Sequence, residues 1–218
     1  ELKKFLAKYP GDAKWTPDVM FRLAELYLDD AGLKYETRQE ALLAGETLPV
    51  ESASPEGVDE DFVAYDGPDF TPAIDLWREL LTRFPKYRQV DGTLYLLGYY
   101  LAEMGKLAEA KQAFLGLVCA NRYDPLKTPP AVDPNDVRAR LAAKQEMASI
   151  NYSQCKPRVA RSKLLDESWV RIGEIHFDSR GELALAIAAY ERVVANPKSD
   201  FYDEALYKLA WSYYRADR

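Results

Sequence analysis

Trp169-Val170-Arg171-Ile172-Gly173-Glu174-Ile175-His176 sets one small residue in a frame of bulky ones, and the frame occurs three more times. Met20-Phe21-Arg22-Leu23-Ala24-Glu25-Leu26-Tyr27, Leu94-Tyr95-Leu96-Leu97-Gly98-Tyr99-Tyr100-Leu101 and Leu206-Tyr207-Lys208-Leu209-Ala210-Trp211-Ser212-Tyr213 align with it without gaps. In each, a large apolar residue stands four places before the small one and an aliphatic residue immediately before it. A bulky, mostly ring-bearing residue follows three places after. Such spacing puts these side chains on one face of an α-helix, where Ala or Gly lets a second helix come close.

Second helices follow with a signature of their own. Thr71-Pro72-Ala73-Ile74 leads to Trp77 and ends at Phe84-Pro85; Leu107-Ala108-Glu109-Ala110 leads to Phe114. Leu183 to Ile187 leads to Tyr190 and ends at Asn196-Pro197. Alanine again permits close approach, and proline stops the helix. From Pro10 to Ala24, Pro85 to Gly98 and Pro197 to Ala210 the steps are 14, 13 and 13 residues.

The pattern resembles the tetratricopeptide repeat, a unit of roughly 34 residues carrying W-x-x-L-G-x-x-Y, then alanine, an aromatic and a closing proline. Trp169, Ile172 and Gly173 fill three of the first four places, and His176 departs from the tyrosine of the fourth. Gly98, Ala110 and Phe114 keep the family spacing within one unit. The resemblance covers about two thirds of the chain. It implies an all-α fold, an α-solenoid of stacked antiparallel helix hairpins forming a superhelix, here with two inserts. The wording of Tyr95 to Tyr99 and of Ala205 to Tyr214 is also similar to large repeat proteins of the deltaproteobacterial cell envelope. That second resemblance implies a periplasmic or envelope scaffold, with a cytoplasmic module as the alternative.

The expected organisation is a single repeat array over 1–218. Residues 1–10 read as the second helix of a preceding repeat, 15–85 as a repeat holding an acidic insert at 33–69, and 86–121 as a repeat. A basic insert with a helix follows at 122–163, then a repeat at 164–197 and the first helix of a truncated repeat at 198–218. Glu1 to Leu6 already read as amphipathic helix, so the chain is expected to be a section of a longer protein or to have lost a leader.

The first insert holds Glu36, Glu40, Glu46, Glu51, Glu56, Asp59, Glu60, Asp61, Asp66 and Asp69 against Lys34 and Arg38. It is expected to split one hairpin, whose first helix ends near Gly32, with a short extension near Glu36 to Ala44. The second insert is basic, with Lys156, Arg158, Arg161 and Lys163 clustered after Cys155. Asp133-Pro134 reads as a helix start, and Val137, Leu141 and Ala148 as its apolar stripe to about Tyr152. Opposite charge on the two inserts implies that they lie near each other or face complementary partners, against the plainer reading of two solvated loops.

Composition removes several chemistries. A net charge of -6 disfavours nucleic acid as a partner, because phosphate binding needs excess Lys and Arg. No apolar run reaches the eighteen or so residues of a membrane span. One histidine, His176, leaves no second imidazole for a metal cluster or a Ser-His-Asp arrangement, and its ring reads as a wedge between helices. There is no P-loop or dinucleotide fingerprint. Neither a catalytic residue, a metal nor a cofactor is expected. Cys119 and Cys155 read as two inert thiols, with a bridge between them reserved for an oxidising compartment.

If the small residue marks the eighth place of the repeat, the resemblance puts groove-facing residues three before, one after and four after it. These are Phe21, Glu25 and Leu28; Tyr95, Tyr99 and Ala102; Val170, Glu174 and Phe177; Tyr207, Trp211 and Tyr214. An aromatic-lined groove suits a peptide or partner protein, since rings supply contact area at small entropy cost. None of the twelve is basic, so a carboxylate clamp is not expected. The runner-up is a carbohydrate- or peptidoglycan-binding module or enzyme that uses the rings with Glu25 and Glu174.

Overall fold

Helix starts follow from local chemistry. Pro17 and Pro72 stand in the first turns of their helices, where a missing N–H costs no internal hydrogen bond. The Asp12 carboxylate accepts the backbone N–H groups of Lys14 and Trp15 at 2.9 Å and turns the chain into one of them. Gly105 and Gly181 sit at φ of 72° and 85° in the turns between paired helices, a backbone that side-chain-bearing residues rarely adopt.

A computed structural model describes residues 1–45, 65–127, 135–139, 141–142, 150–179 and 181–217. No strand occurs among the described residues, and the fold is all-α, built of helix hairpins as in an α-solenoid. The chain divides into two units, Glu1–Tyr87 and Arg88–Arg218.

The first unit contains α1 (Leu2–Lys8), α2 (Thr16–Leu43) and α3 (Thr71–Arg83). α2 packs on both neighbours. Met20, Leu80 and Tyr87 form a buried cluster, joined by Leu6, Phe21, Leu76 and Phe84 at its edge. α2 does not end near Gly32 but continues to Leu43. A helical glycine costs only about 1 kcal/mol relative to alanine, and Asp30 and Lys34 bridge that turn at 2.6 Å. Of the acidic insert, residues 46–64 lie outside the described residues.

The second unit contains α4 (Val90–Glu103), α5 (Leu107–Val118), a 3-10 turn (Tyr152–Gln154), α6 (Leu165–Asp178), α7 (Leu183–Val194) and α8 (Tyr202–Arg215). Each of its α-helices packs on the next in chain order. Gly98 of α4 faces the Phe114 ring of α5, and a Cβ at Gly98 would stand 2.8 Å from it. Gly173 of α6 faces Tyr190 of α7 still more tightly, at 2.3 Å. Phe114 and Tyr190 are both fully buried. These are two of the small-residue contacts expected from the four aligned segments; Ala24 is buried as well, whereas Ala210 of α8 is exposed.

In the basic insert, residues 137–139 and 141–142 are helical, with Val137 and Leu141 exposed rather than buried in a stripe. Tyr152 lies in the 3-10 turn, not in an α-helix. The remainder of the expected helix, including Asp133, Pro134 and Ala148, falls outside the described residues. The expectation of two free thiols is overturned: Cys119 and Cys155 form a disulfide, their Cα atoms 4.4 Å apart. The fold itself supplies the reason, because the later part of the insert returns alongside the end of α5, with the Arg158 N–H donating to Leu117 O at 2.8 Å.

The two glycine contacts give a graded test. Gly173→Ala should lower stability by about 1–3 kcal/mol, since the buried Tyr190 ring cannot swing away, and Gly98→Ala should cost less. A Cβ added at Gly92 of α4 would meet nothing within 4 Å, and Gly92→Ala should leave stability unchanged or raise it by up to about 1 kcal/mol. Urea unfolding of the three variants checks the order.

Candidate partner-binding surface

In the second unit, α4 and α6 are the first helices of successive hairpins and α8 follows them, and the aligned positions of the three meet. Tyr95 Oη donates to Glu167 Oε1 at 2.5 Å, joining α4 to α6. Burial first, then this hydrogen bond, pushes the Tyr95 phenol up to about 12, so it remains a donor. Arg171 pairs with Glu174 at 3.2 Å and with Glu167 at 3.6 Å, and its guanidinium lies 5.9 Å from the centre of the Tyr99 ring. Burial works against the Arg171 charge, but Glu174 and Tyr95 beside it outweigh that and raise its pKa. Glu174 also reaches Lys208 of α8 at 2.7 Å, and Lys208 reaches Glu204 at 3.6 Å.

The result is a polar ribbon, Tyr95–Glu167–Arg171–Glu174–Lys208–Glu204, across three helices. Both of its cations are already paired with carboxylates, so it gives shape and register more than a free cation for a ligand. The expected groove residues sort accordingly. Tyr95, Tyr99 and Glu174 belong to the ribbon or its edge and are half-buried, and Val170 is buried. Phe177 carries the Arg215 guanidinium 4.3 Å from its ring centre.

Beyond the ribbon lies a cleft of about 530 Å³ lined by Glu174, Phe177, Asp178, Tyr190, Tyr207, Lys208 and Trp211. On its α8 side Tyr207, Trp211 and Tyr214 stand one turn apart, 64 %, 47 % and 74 % exposed. Their rings meet edge to face, with centres 6.3 and 5.7 Å apart. Such geometry holds the rings without ordering further side chains.

In the first unit, Glu25 is bound to Arg22 at 2.9 Å, Phe21 lies against Tyr87 in the core edge, and Leu28 is half-buried. The bridge is the counterpart of Arg171–Glu174. Sequence reasoning passed over the basic partners because they stand two places before the small residue, outside the groove positions considered. The signal was present in Arg22-Leu23-Ala24-Glu25 and Arg171-Ile172-Gly173-Glu174, which place opposite charges three residues apart on one helix face. Lys156, Arg158, Arg161 and Lys163 of the basic insert are all exposed.

The family model of the tetratricopeptide repeat matches residues 92–118, which take in most of α4 and all of α5. Residues 92–118 form a tetratricopeptide repeat. No curated protein and no solved structure matches the chain. Tetratricopeptide repeats generally mediate protein–protein interaction, and the family is typically a non-catalytic scaffold. In this repeat Tyr95 and Tyr99 lie on the face that meets α6, and Gly98 on the face that meets α5. No helix among the described residues is long and apolar enough to cross a membrane.

A second cluster lies among the hairpins. His176, 1 % exposed, approaches Tyr152 Oη through Nε2 at 2.6 Å and Glu182 Oε2 through Nδ1 at 2.5 Å. Lys111 of α5 completes the chain on Glu182 at 2.9 Å. Neutral His176 satisfies every group: Nδ1–H donates to the carboxylate and Nε2 accepts the phenol hydrogen. Burial lowers the His176 pKa despite Glu182. For Glu182 burial acts the other way, but hydrogen bonds from His176 and Lys111 prevail and hold the carboxyl at about 2. Tyr152 lies on Trp169 with ring centres 5.0 Å apart, so the insert's ring fills space beside the histidine that replaces the pattern's tyrosine. Neither imidazole nitrogen faces solvent or a cleft, and the cluster serves packing.

Both groups bind protons less readily folded than unfolded. Their stabilisation is therefore complete above the ordinary pKa, 6.5 for His176 and 4.5 for Glu182, and declines as pH falls below it. The melting temperature should fall between pH 7.5 and 5.5, and His176→Phe, although less stable throughout, should lose that part of the slope. An unchanged slope in the variant would assign the acid sensitivity elsewhere.

Proposed function

We propose that the chain is a non-catalytic interaction scaffold that holds a peptide or a segment of a partner protein in the cleft beside α8. The observation that carries this reading is the row of Tyr207, Trp211 and Tyr214, three large rings left exposed in register beside a polar floor whose lysine is already paired. Aromatic side chains of this kind dominate the energetics of protein interfaces, and a cleft wall next to them supplies the depth a binding hot spot needs. The ribbon favours a ligand read by shape and ring contact, since its Lys and Arg are engaged by Glu174, Glu167 and Glu204.

The compartment belongs to the same proposal. The Cys119–Cys155 bridge supports an oxidising location such as a bacterial periplasm or cell envelope, because cytosolic thiols are generally kept reduced. In that setting the chain is a section of a larger envelope assembly.

A photo-reactive residue placed at Tyr207 or Trp211 in the native cell should crosslink to a protein, and the same residue at exposed Ala108 of α5 should not. Trp211→Ala combined with Tyr207→Ala should reduce crosslinking at position 214 at least ten-fold, with thermal unfolding unchanged. Crosslinks to glycan strands would support a carbohydrate-binding module instead, and equal yields at Trp211 and Ala108 would remove the cleft as the partner site.

A further inference from the structure

We propose that residues 150–158 form a redox-released strap, which reduction of Cys119–Cys155 loosens from the hairpins while the hairpins stay folded. This goes beyond the partner cleft and does not depend on it.

The strap is fastened at several points, all on the second unit. Tyr152 is bound to His176 and packed on Trp169. The Asn121 side chain clamps the strap backbone from both sides of its amide: Oδ1 accepts the Lys156 N–H at 2.8 Å and Nδ2 donates to Gln154 O at 3.2 Å. Arg122 donates to Asn151 O at 2.8 Å, and the Arg158 N–H donates to Leu117 O at 2.8 Å. The disulfide is the single covalent fastening. Apart from its 3-10 turn the strap has no regular structure, so loosening it breaks no α-helix. The hairpins keep their own contacts, Gly98 on Phe114 and Gly173 on Tyr190.

Both ends of the bridge are buried, but not equally. Cys119 is 0 % exposed, whereas Cys155 is 8 % exposed and is followed by exposed Lys156 and Arg158. Positive neighbours favour a thiolate and draw an anionic attacking thiol to that sulfur. A thiolate of a dithiol reductant attacks Cys155 Sγ, forming a mixed disulfide as the bond to Cys119 breaks. Cys119 leaves as a thiolate and takes up a proton from water, and the S–H so formed donates to Asn121 Oδ1, 3.7 Å from the sulfur. The reductant's second thiolate then displaces Cys155 Sγ, which takes up the second proton. The protein gains two electrons and two protons, and the reductant closes as its own disulfide. What remains on the strap is hydrogen bonding and the packing of Tyr152 on Trp169, and the basic run from Lys156 to Lys163 loses its covalent anchor.

Hydrogen exchange on the native chain, with and without dithiothreitol at pH 7.5, tests this. The amides of Lys156 and Arg158 should exchange at least ten-fold faster after reduction, with α4, α5, α6 and α7 unchanged. Cys155→Ser should show the fast exchange without reductant and no further response to it; if that variant does not fold, the reduction arm on the native chain decides alone. Three results would overturn the proposal. These are unchanged strap exchange on reduction, a matching loss of protection across α5 to α7, and a mass showing two free thiols in the protein purified without reductant.

Discussion

The structure depends on the meeting of a residue with little or no side chain and a large ring on the paired helix. At Gly173 and Gly98 the facing backbone comes so near to Tyr190 and Phe114 that even one added carbon would overlap the ring. Nothing in an isolated helix calls for such a glycine, which weakens it by about 1 kcal/mol. The offset comes from burying the whole ring face, on the order of 2–3 kcal/mol for a side chain of that size. Once paired this way, each hairpin presents its first helix on one side, and the aligned positions of α4, α6 and α8 come within reach of one another.

That constraint explains which parts of the molecule were legible in the sequence. The four aligned segments carry the small residue at one place, so the hairpins of α4–α5 and α6–α7 follow from spacing alone. Helix length was less legible. Gly32 looks like a stop, yet it is flanked by helix formers and an ion pair, and α2 runs on to Leu43. The polar ribbon was hidden for a different reason. Its two cations, Arg171 and Lys208, stand two places before the small residue, and their meaning depends on the neighbouring helix, as when Glu174 binds both Arg171 of its own helix and Lys208 of the next.

The disulfide and the His176 cluster were beyond the reach of spacing. Cys119 and Cys155 are 36 residues apart, and only the return of the chain along α5 brings them together. His176 departs from the pattern's tyrosine because a tyrosine from outside the repeat, Tyr152, supplies the second ring beside it. A departure from a repeat consensus thus marks the point where an insertion docks. The rings of α8 are the complementary case: the pattern names Tyr207, Trp211 and Tyr214, the structure leaves them exposed beside cations already paired with carboxylates, and the proposed function gives them to a partner protein.

The most direct test of this account is a double-mutant cycle on the α6–α7 contact, using Gly173→Ala, Tyr190→Leu and the pair, read by urea unfolding. If the close approach of glycine and ring holds the hairpin, the added methyl is tolerated once the ring is trimmed. The pair then loses at least about 1 kcal/mol less than the two single losses together. Losses that simply add would contradict the account and place the origin of the hairpin elsewhere.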